Sequence, residues 1–543
     1  MGDHMVLQQN SSVKLWGWAD GKKVTVTTSW NNRTYQASTD KDGAWLVKVD
    51  TPEGGYTPYF ITISDGTPVT LSDILIGEVW ICSGQSNMEM RMMGNAAQPI
   101  DHSLETLLNS GNYRDRIRFI TVPRTNDTER RTDFEKRKWE VSSPETSIDC
   151  SAAAYFFARQ LTESLHLPVG LVINSWGGSA IEAWMDEPTL KTVEGMNIEA
   201  AKNPKRGVHQ RLECLYNSML WPVKNFTARG FLWYQGESNA HNKEAHEKLF
   251  KLLVDSWRSN WDEPDLPFYY VQLSSIDRPS WTWFRDSQRR LMKCVSNTGM
   301  VVSSDQGDSL DVHPANKKPI GERLAYWALN RTYGHENVLP SGPLFRCAEF
   351  KNGAVYVSFD YGDGLGSVDE ALLCSFEVAE EDGVYELATA VVEDDCLKVY
   401  NTNIKNPRFI RYGWQPFTRA NLVNKAGLPA STFRAAAPVA YVTIDKISRM
   451  QGFPQEDKDF AKGVSACFAG IAAGQLLIAG GCNFPEIPAY AGGAKKYYRD
   501  IYTALIPKDS ILVWQRVGQL PQAMAYGVSV SCLLYTSPSP RDC

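Results

Sequence analysis

No stretch of this chain approaches the ~18 consecutive apolar residues that a helix needs to cross a bilayer, so no membrane partner is expected. Positive charge is not in excess either. The 56 Lys and Arg stand against 62 Asp and Glu, a net charge of −6, and without a basic cluster no nucleic-acid partner is expected. The 11 cysteines are odd in number, scattered and without C-x-x-C spacing. A disulfide framework and a zinc site are therefore not expected, and no metal or other cofactor is predicted. The start, Met1 to Gln9, has neither a basic n-region nor an apolar h-region, so no secretory signal is read in it. Histidine is scarce, with 8 in 543 residues, which narrows the search for a general base to a few positions.

What is present begins with length. A chain of 543 residues is too long for one hydrophobic core and predicts about three or four domains. Residues 1–71 alternate in short strands, such as Val13 to Trp18 and Ala44 to Val49, separated by Asp-Gly and Asn-Asn turns; a small β-sandwich-like domain is expected. Over 72–339 the pattern changes to apolar runs alternating with helical stretches. Runs at Ile76 to Cys82, Val169 to Asn174, Gly230 to Tyr234 and Phe268 to Leu273 suit strands buried on both faces, which predicts a three-layer α/β domain with a parallel sheet. Residues 340–434 return to a β pattern. Residues 435–532 carry a strand, a Gly480-Gly481 pair and aromatic anchors, about one propeller-blade unit, and 533–543 do not continue it. The 17 Trp and 23 Tyr are compatible with sugar handling, since such rings stack on sugar faces, though core packing accounts for most aromatics equally well.

Four segments fall at the carboxyl ends of the predicted strands: Gly84-Gln-Ser-Asn87, Asn174-Ser-Trp-Gly-Gly-Ser179, Tyr234-Gln-Gly-Glu-Ser-Asn239 and Asp311-Val-His313. Small and amide residues there suit acyl transfer. Ser86 at a strand-to-helix turn is read as the nucleophile, against the alternative of an ordinary helix cap. His313 is read as the base and Asp311 as its partner, with Asp305, Asp308 or a bare Ser-His dyad left open. The N–H of Ser86, an N–H from the Gly177–Gly178 turn and a side-chain amide of Gln235 or Asn239 are the candidate oxyanion donors. Gln85, Trp176 and Glu237 are expected to contact substrate. Read as a carboxylate pair, Glu182 and Glu237 would suit glycoside hydrolysis, which leaves the serine and histidine segments without a role.

These motifs, with Gly84-Gln-Ser-Asn-Met88, Trp176 to Trp184, Trp233 to Asn239 and Asp311-Val-His-Pro314 in order, resemble the blocks of sialate O-acetylesterases, an SGNH-type hydrolase family. The similarity runs from Asp3 to about Arg434. It implies an SGNH-type fold, Ser86 as nucleophile, His313 as base with Asp311, an O-acetylated sialic acid or sialoglycan as substrate, and a periplasmic or secreted location. The broader SGNH spacing D-x-x-H is D-x-H here, and the spacing from Gly236 to Asn239 also departs from the third block. An acetylxylan-type esterase on the same scaffold and a non-catalytic glycan-binding protein are the rival expectations. The segment after Ala435 resembles the beginning of a kelch-type N-acetylneuraminate epimerase, with too few blades to close a propeller, so that second activity is not expected.

Overall fold

The computed structural model describes residues 1–438 apart from 136 and 194, and residues 452–526 apart from 473, 474, 492 and 506–510. They belong to two compact units, the first ending at Pro438.

In the first unit the N-terminal strands are β1 (Val6–Gln8), β2 (Ser12–Trp18), β3 (Lys23–Thr28), β4 (Arg33–Ser38), β5 (Ala44–Asp50) and β6 (Gly55–Ser64). The central sheet is built from β7 (Pro68–Gly84), β8 (Ile117–Thr121), β9 (Glu140–Val141), β10 (Val169–Ser175), β11 (Gly230–Tyr234), β12 (Phe268–Val271) and β13 (Thr298–Val301). Their order across the sheet is β13-β12-β11-β7-β10-β8-β9. All neighbours are parallel except the short β9, which runs antiparallel to β8. The alternation of apolar runs with helices required this, because parallel neighbours need a crossover between them.

The expected boundary at 71/72 falls inside β7, a 17-residue strand. Its outer part pairs antiparallel with β6, while Ile74 to Gly84 is buried throughout and forms the middle of the parallel sheet. Val13, Leu15, Val24, Val26 and Ile61 consequently share one hydrophobic core with Trp80 and Ile81. Strands β1, β3, β4 and β6 extend the central sheet and β2 pairs with β5 in a separate two-stranded sheet, all over the one shared core.

Two helices show how sequence fixes the layer over the sheet. Ala152–Leu165 is capped by Ser151, whose hydroxyl accepts from Ala154 N at 3.2 Å, and ends at His166 in a left-handed conformation just before Leu167 and Pro168. Lys243–Asn260 is capped by Asn242 and buries His246, Leu249, Phe250, Leu253, Val254 and Trp257, the 3-4 spacing of one helix face. The first packs on β10 and β8 and against Lys318–Trp327, which in turn covers β12 and β13.

Beyond the sheet, two four-stranded antiparallel sheets enclose a separate core of Val357, Phe376, Leu397, Ile410 and Phe433. Their last strand, Phe433–Ala436, runs past the expected limit at 434. In the second unit, Phe468–Ala472, Gln475–Ala479, Asp500–Leu505 and Trp514–Gln519 form a four-stranded antiparallel sheet over Phe460, Ile478, Tyr498 and Tyr502. Among the described residues this sheet and one two-stranded ladder are not a closed ring, which takes several such sheets. The expected tail 533–543 lies outside the described residues.

Candidate active site

The chain leaves β7, builds β8 and β10 on one side, then returns to build β11 on the other. Strand order reverses at β7, and in open parallel sheets that is where a crevice forms at the carboxyl ends. Ser86 follows β7, Trp176 follows β10, Gln235 follows β11 and His313 lies on the loop after β13. The loops are stitched together there: Gln85 N donates to Tyr234 O at 3.0 Å and Trp176 N to Gly84 O at 3.1 Å. Gly84 has φ +138, and a Cβ on it would meet Tyr234 O at 2.2 Å. Only glycine lets β7 turn so close beneath β11.

Ser86 Oγ lies 2.9 Å from His313 Nε2. On the far side of the ring, Nδ1 lies 3.0 Å from Asp311 Oδ1, which also accepts from the His313 backbone N–H at 2.9 Å. A carboxylate on Nδ1–H leaves Nε2 free to accept the serine proton. Burial alone would raise the Asp311 carboxyl, but the His313 backbone N–H, the Gln98 amide and the imidazole together hold it below the usual aspartate value. The two alternative aspartates are engaged elsewhere. Asp305 forms a two-pronged pair with Arg323 at 2.8 and 2.7 Å, and Asp308 accepts from the backbone N–H groups of Leu310 and Asp311.

Four donors were expected around the oxyanion, and their surroundings differ. Gly177 N is already used, donating to Glu89 Oε2 at 2.6 Å. The N–H groups of Ser86 and Gly178 have no partner among the described residues. Gly178 sits at φ +73 with His209 Nε2 3.0 Å from where a Cβ would be, so its backbone is free to face the crevice only as glycine. The amides of Gln235 and Asn239 tie to each other and to the segment after β10: Gln235 Nε2 donates to Ser179 O at 3.1 Å and Asn239 Oδ1 at 2.7 Å, while Asn239 Nδ2 donates to Glu182 Oε2 at 3.0 Å. Both N–H groups of Gln235 are thereby used, while Asn239 Nδ2 keeps one beyond that to Glu182. Gln85 is the better placed amide. Its Oε1 accepts from Gly236 N and Ser238 N, both at 3.3 Å, and its Nε2 has no protein partner among the described residues.

Glu237, expected against substrate, has a protein partner. Its Oε1 accepts from Asn87 Nδ2 at 2.5 Å and its Oε2 is enclosed without a partner among the described residues. Burial raises its pKa, against its own backbone N–H, Asn87, Lys317 and His313. Trp176 is half-buried and stacks on His209 with ring centres 6.1 Å apart. A cleft of about 610 Å³ opens onto Ser86, lined also by Phe119, Arg124, Ser151 and Ser175. A larger one of about 740 Å³, lined by Arg289, Arg331 and Tyr361, includes none of these groups.

Sequence reasoning missed Gln98, Glu89, His209 and Lys317. Gln98 Nε2 donates to both Asp311 oxygens at 2.9 and 3.2 Å and lies 2.9 Å from His313 Nδ1. It sits in a loop without periodicity, so no pattern marks it. Glu89 had a signal, because it stands one helical turn after Ser86, where a carboxylate can reach the facing loop.

A family model described as carbohydrate esterase, sialic acid-specific acetylesterase, matches residues 76–330. The sialate O-acetylesterase of Mus musculus is 28% identical over 426 residues, 66% of this chain and 77% of that one. The crystal structure of a carbohydrate acetylesterase from Xanthomonas citri superposes with a TM-score of 0.72 at 30% identity, over 80% of this chain and 98% of that one. Separately, 79 residues are 35% identical to an N-acetylneuraminate epimerase of Vibrio vulnificus, covering 13% of this chain and 19% of the epimerase.

Proposed function

Because the chain belongs to the carbohydrate esterase family of sialic acid-specific acetylesterases, we propose that it removes O-acetyl groups from sialic acid through an acetyl intermediate on Ser86. One observation carries the mechanism: Ser86 Oγ and His313 Nε2, 227 residues apart in sequence, lie 2.9 Å from each other, and the N–H groups of Ser86 and Gly178 have no partner among the described residues.

Ser86 Oγ attacks the acetyl carbonyl carbon as His313 Nε2 takes its proton. The carbonyl oxygen becomes an oxyanion received by the N–H groups of Ser86 and Gly178 and by the Gln85 amide; each such donor is worth about 3 kcal/mol in the transition state. As the tetrahedral adduct collapses, the C–O bond to the sugar breaks and the imidazolium returns the proton to the departing sugar oxygen. Water then attacks acetyl-Ser86, His313 takes its proton, acetate leaves and the hydroxyl of Ser86 is restored. Asp311 holds Nδ1–H throughout and stabilises the imidazolium. The Trp176 ring, braced by His209 next to the Gly177–Gly178 turn, offers a face for the sugar. On the family resemblance, the enzyme acts in the periplasm or outside the cell. No helix among the described residues is long and apolar enough to cross a membrane.

Ser86→Ala is the first test. Turnover of an O-acetylated sialic acid should fall about ten-thousand-fold or more with the melting temperature unchanged. A variant that keeps its rate rules out the serine mechanism. Comparing wild-type rates on O-acetylated sialic acid and on acetylated xylan tests the substrate. Faster turnover of xylan would reject the sialate assignment and leave the esterase chemistry standing.

A further inference from the structure

Lys317 is fully buried, at 0% exposure, at the start of the helix Lys318–Trp327. Its ammonium donates to Asn87 Oδ1 at 2.5 Å and lies 5.4 Å from the centre of the Tyr234 ring. The Asn87 amide nitrogen donates in turn to Glu237 Oε1 at 2.5 Å and to the Val312 carbonyl at 3.1 Å. Asn87 directly follows Ser86, and Val312 directly precedes His313. One side-chain amide therefore ties the backbone carrying the hydroxyl to the backbone carrying the imidazole.

An amide works as such a strut only in one orientation. Turned over, its oxygen would face the Glu237 carboxylate and the Val312 carbonyl, acceptor against acceptor. The lysine nitrogen that donates to Oδ1 adds to the cost of that flip, which would turn the amide N–H groups towards it. Burying an ammonium is expensive, and here burial pushes the Lys317 group down to about 7, with Glu237 and Asp311 opposing. Apolar side chains would fill the same space without that cost, so a role in packing alone does not explain the pair.

Resting on the esterase reading above, we propose that Lys317 is a positioning residue: by fixing the Asn87 amide between Glu237 and Val312 it holds Ser86 Oγ and His313 Nε2 at reacting distance. It touches neither substrate nor the reacting atoms. Its effect belongs in kcat, since the cleft that receives the ester is untouched.

The test uses the full chain and 4-nitrophenyl acetate, an ester that needs only the acetyl site and is indifferent to the identity of the sugar. Lys317→Met should lower kcat about 100-fold with KM within about twofold, because a misplacement of about 1 Å at the reacting atoms has that effect. Adding Glu237→Gln removes the stranded buried carboxylate. The double variant should then recover the wild-type melting temperature while kcat stays low, since the Val312 carbonyl is then left to hold the Asn87 amide without a charged partner on either side. Wild-type kcat in either folded variant overturns the proposal. If Lys317→Met alone does not fold, the charge-neutral double variant decides by the same kcat. Failure of the esterase reading looks different: wild-type protein would not hydrolyse the ester, or Ser86→Ala would hydrolyse it equally fast, and the proposal would go with it.

Discussion

His246 shows at the scale of one residue why few histidines had to mean few candidates. It is buried on the helix Lys243–Asn260, neither ring nitrogen has a partner among the described residues, and its ring centre is 4.4 Å from that of Phe284. Burial pushes its pKa down from 6.5 to about 3, so it is neutral in the folded chain. The unfolded chain binds the extra proton first, so stability is lost as pH falls from about 6.5 towards 3, by on the order of 3–5 kcal/mol. His246→Leu should flatten that acid limb. Denaturant titrations at pH 7 and pH 4 measure it, and an unchanged loss between the two would show that another group drives acid unfolding. From the sequence His246 and His313 differ only in context, one on a helix and one after an apolar run. That context pointed to His313 rightly as a loop residue at a strand end, but not to Gln98, whose amide meets Asp311 from 213 residues away.

Among the elements, β7 carries the most. Its buried part, Ile74 to Gly84, was legible in the apolar run Ile76 to Cys82, because a strand covered on both faces needs no alternation. Its outer half was assigned to a different domain, since alternation resumes there and sequence does not reveal that one strand serves both parts. At its end Gly84 accommodates both a left-handed φ and the carbonyl of Tyr234. Gly84→Ala should therefore cost on the order of 3 kcal/mol of stability and lower turnover with it, as the Ser86 turn is displaced. Equilibrium unfolding together with kcat on 4-nitrophenyl acetate measures both. A stable, fully active Gly84→Ala would mean that the turn tolerates a Cβ by a movement of β11. The loop after β11 was the least legible, because amides at Gln235 and Asn239 look equally suited to bind an oxyanion or one another.

For the whole molecule, every residue given a catalytic or positioning role lies in the first unit, before Pro438. A chain ending at Pro438 should keep esterase turnover within about twofold of full length, as expected of a unit with its own core. Purification of residues 1–438 and a rate comparison measure this. A collapse in kcat with the fold intact would assign the second unit a part in catalysis.

The amino-acid sequence alone determined the family, by the motif order of a carbohydrate esterase, and set the proposed serine, histidine and aspartate on loops after buried strands. Local patterns suffice there because strand ends, turns and glycines are properties of neighbouring residues. Only the tertiary structure decided which amides remain free to donate, which aspartate meets the imidazole, and that a buried lysine stands behind the nucleophile. Those are choices among hydrogen-bond partners hundreds of residues apart, and a polar side chain is committed only when the partner it will meet has been brought to it.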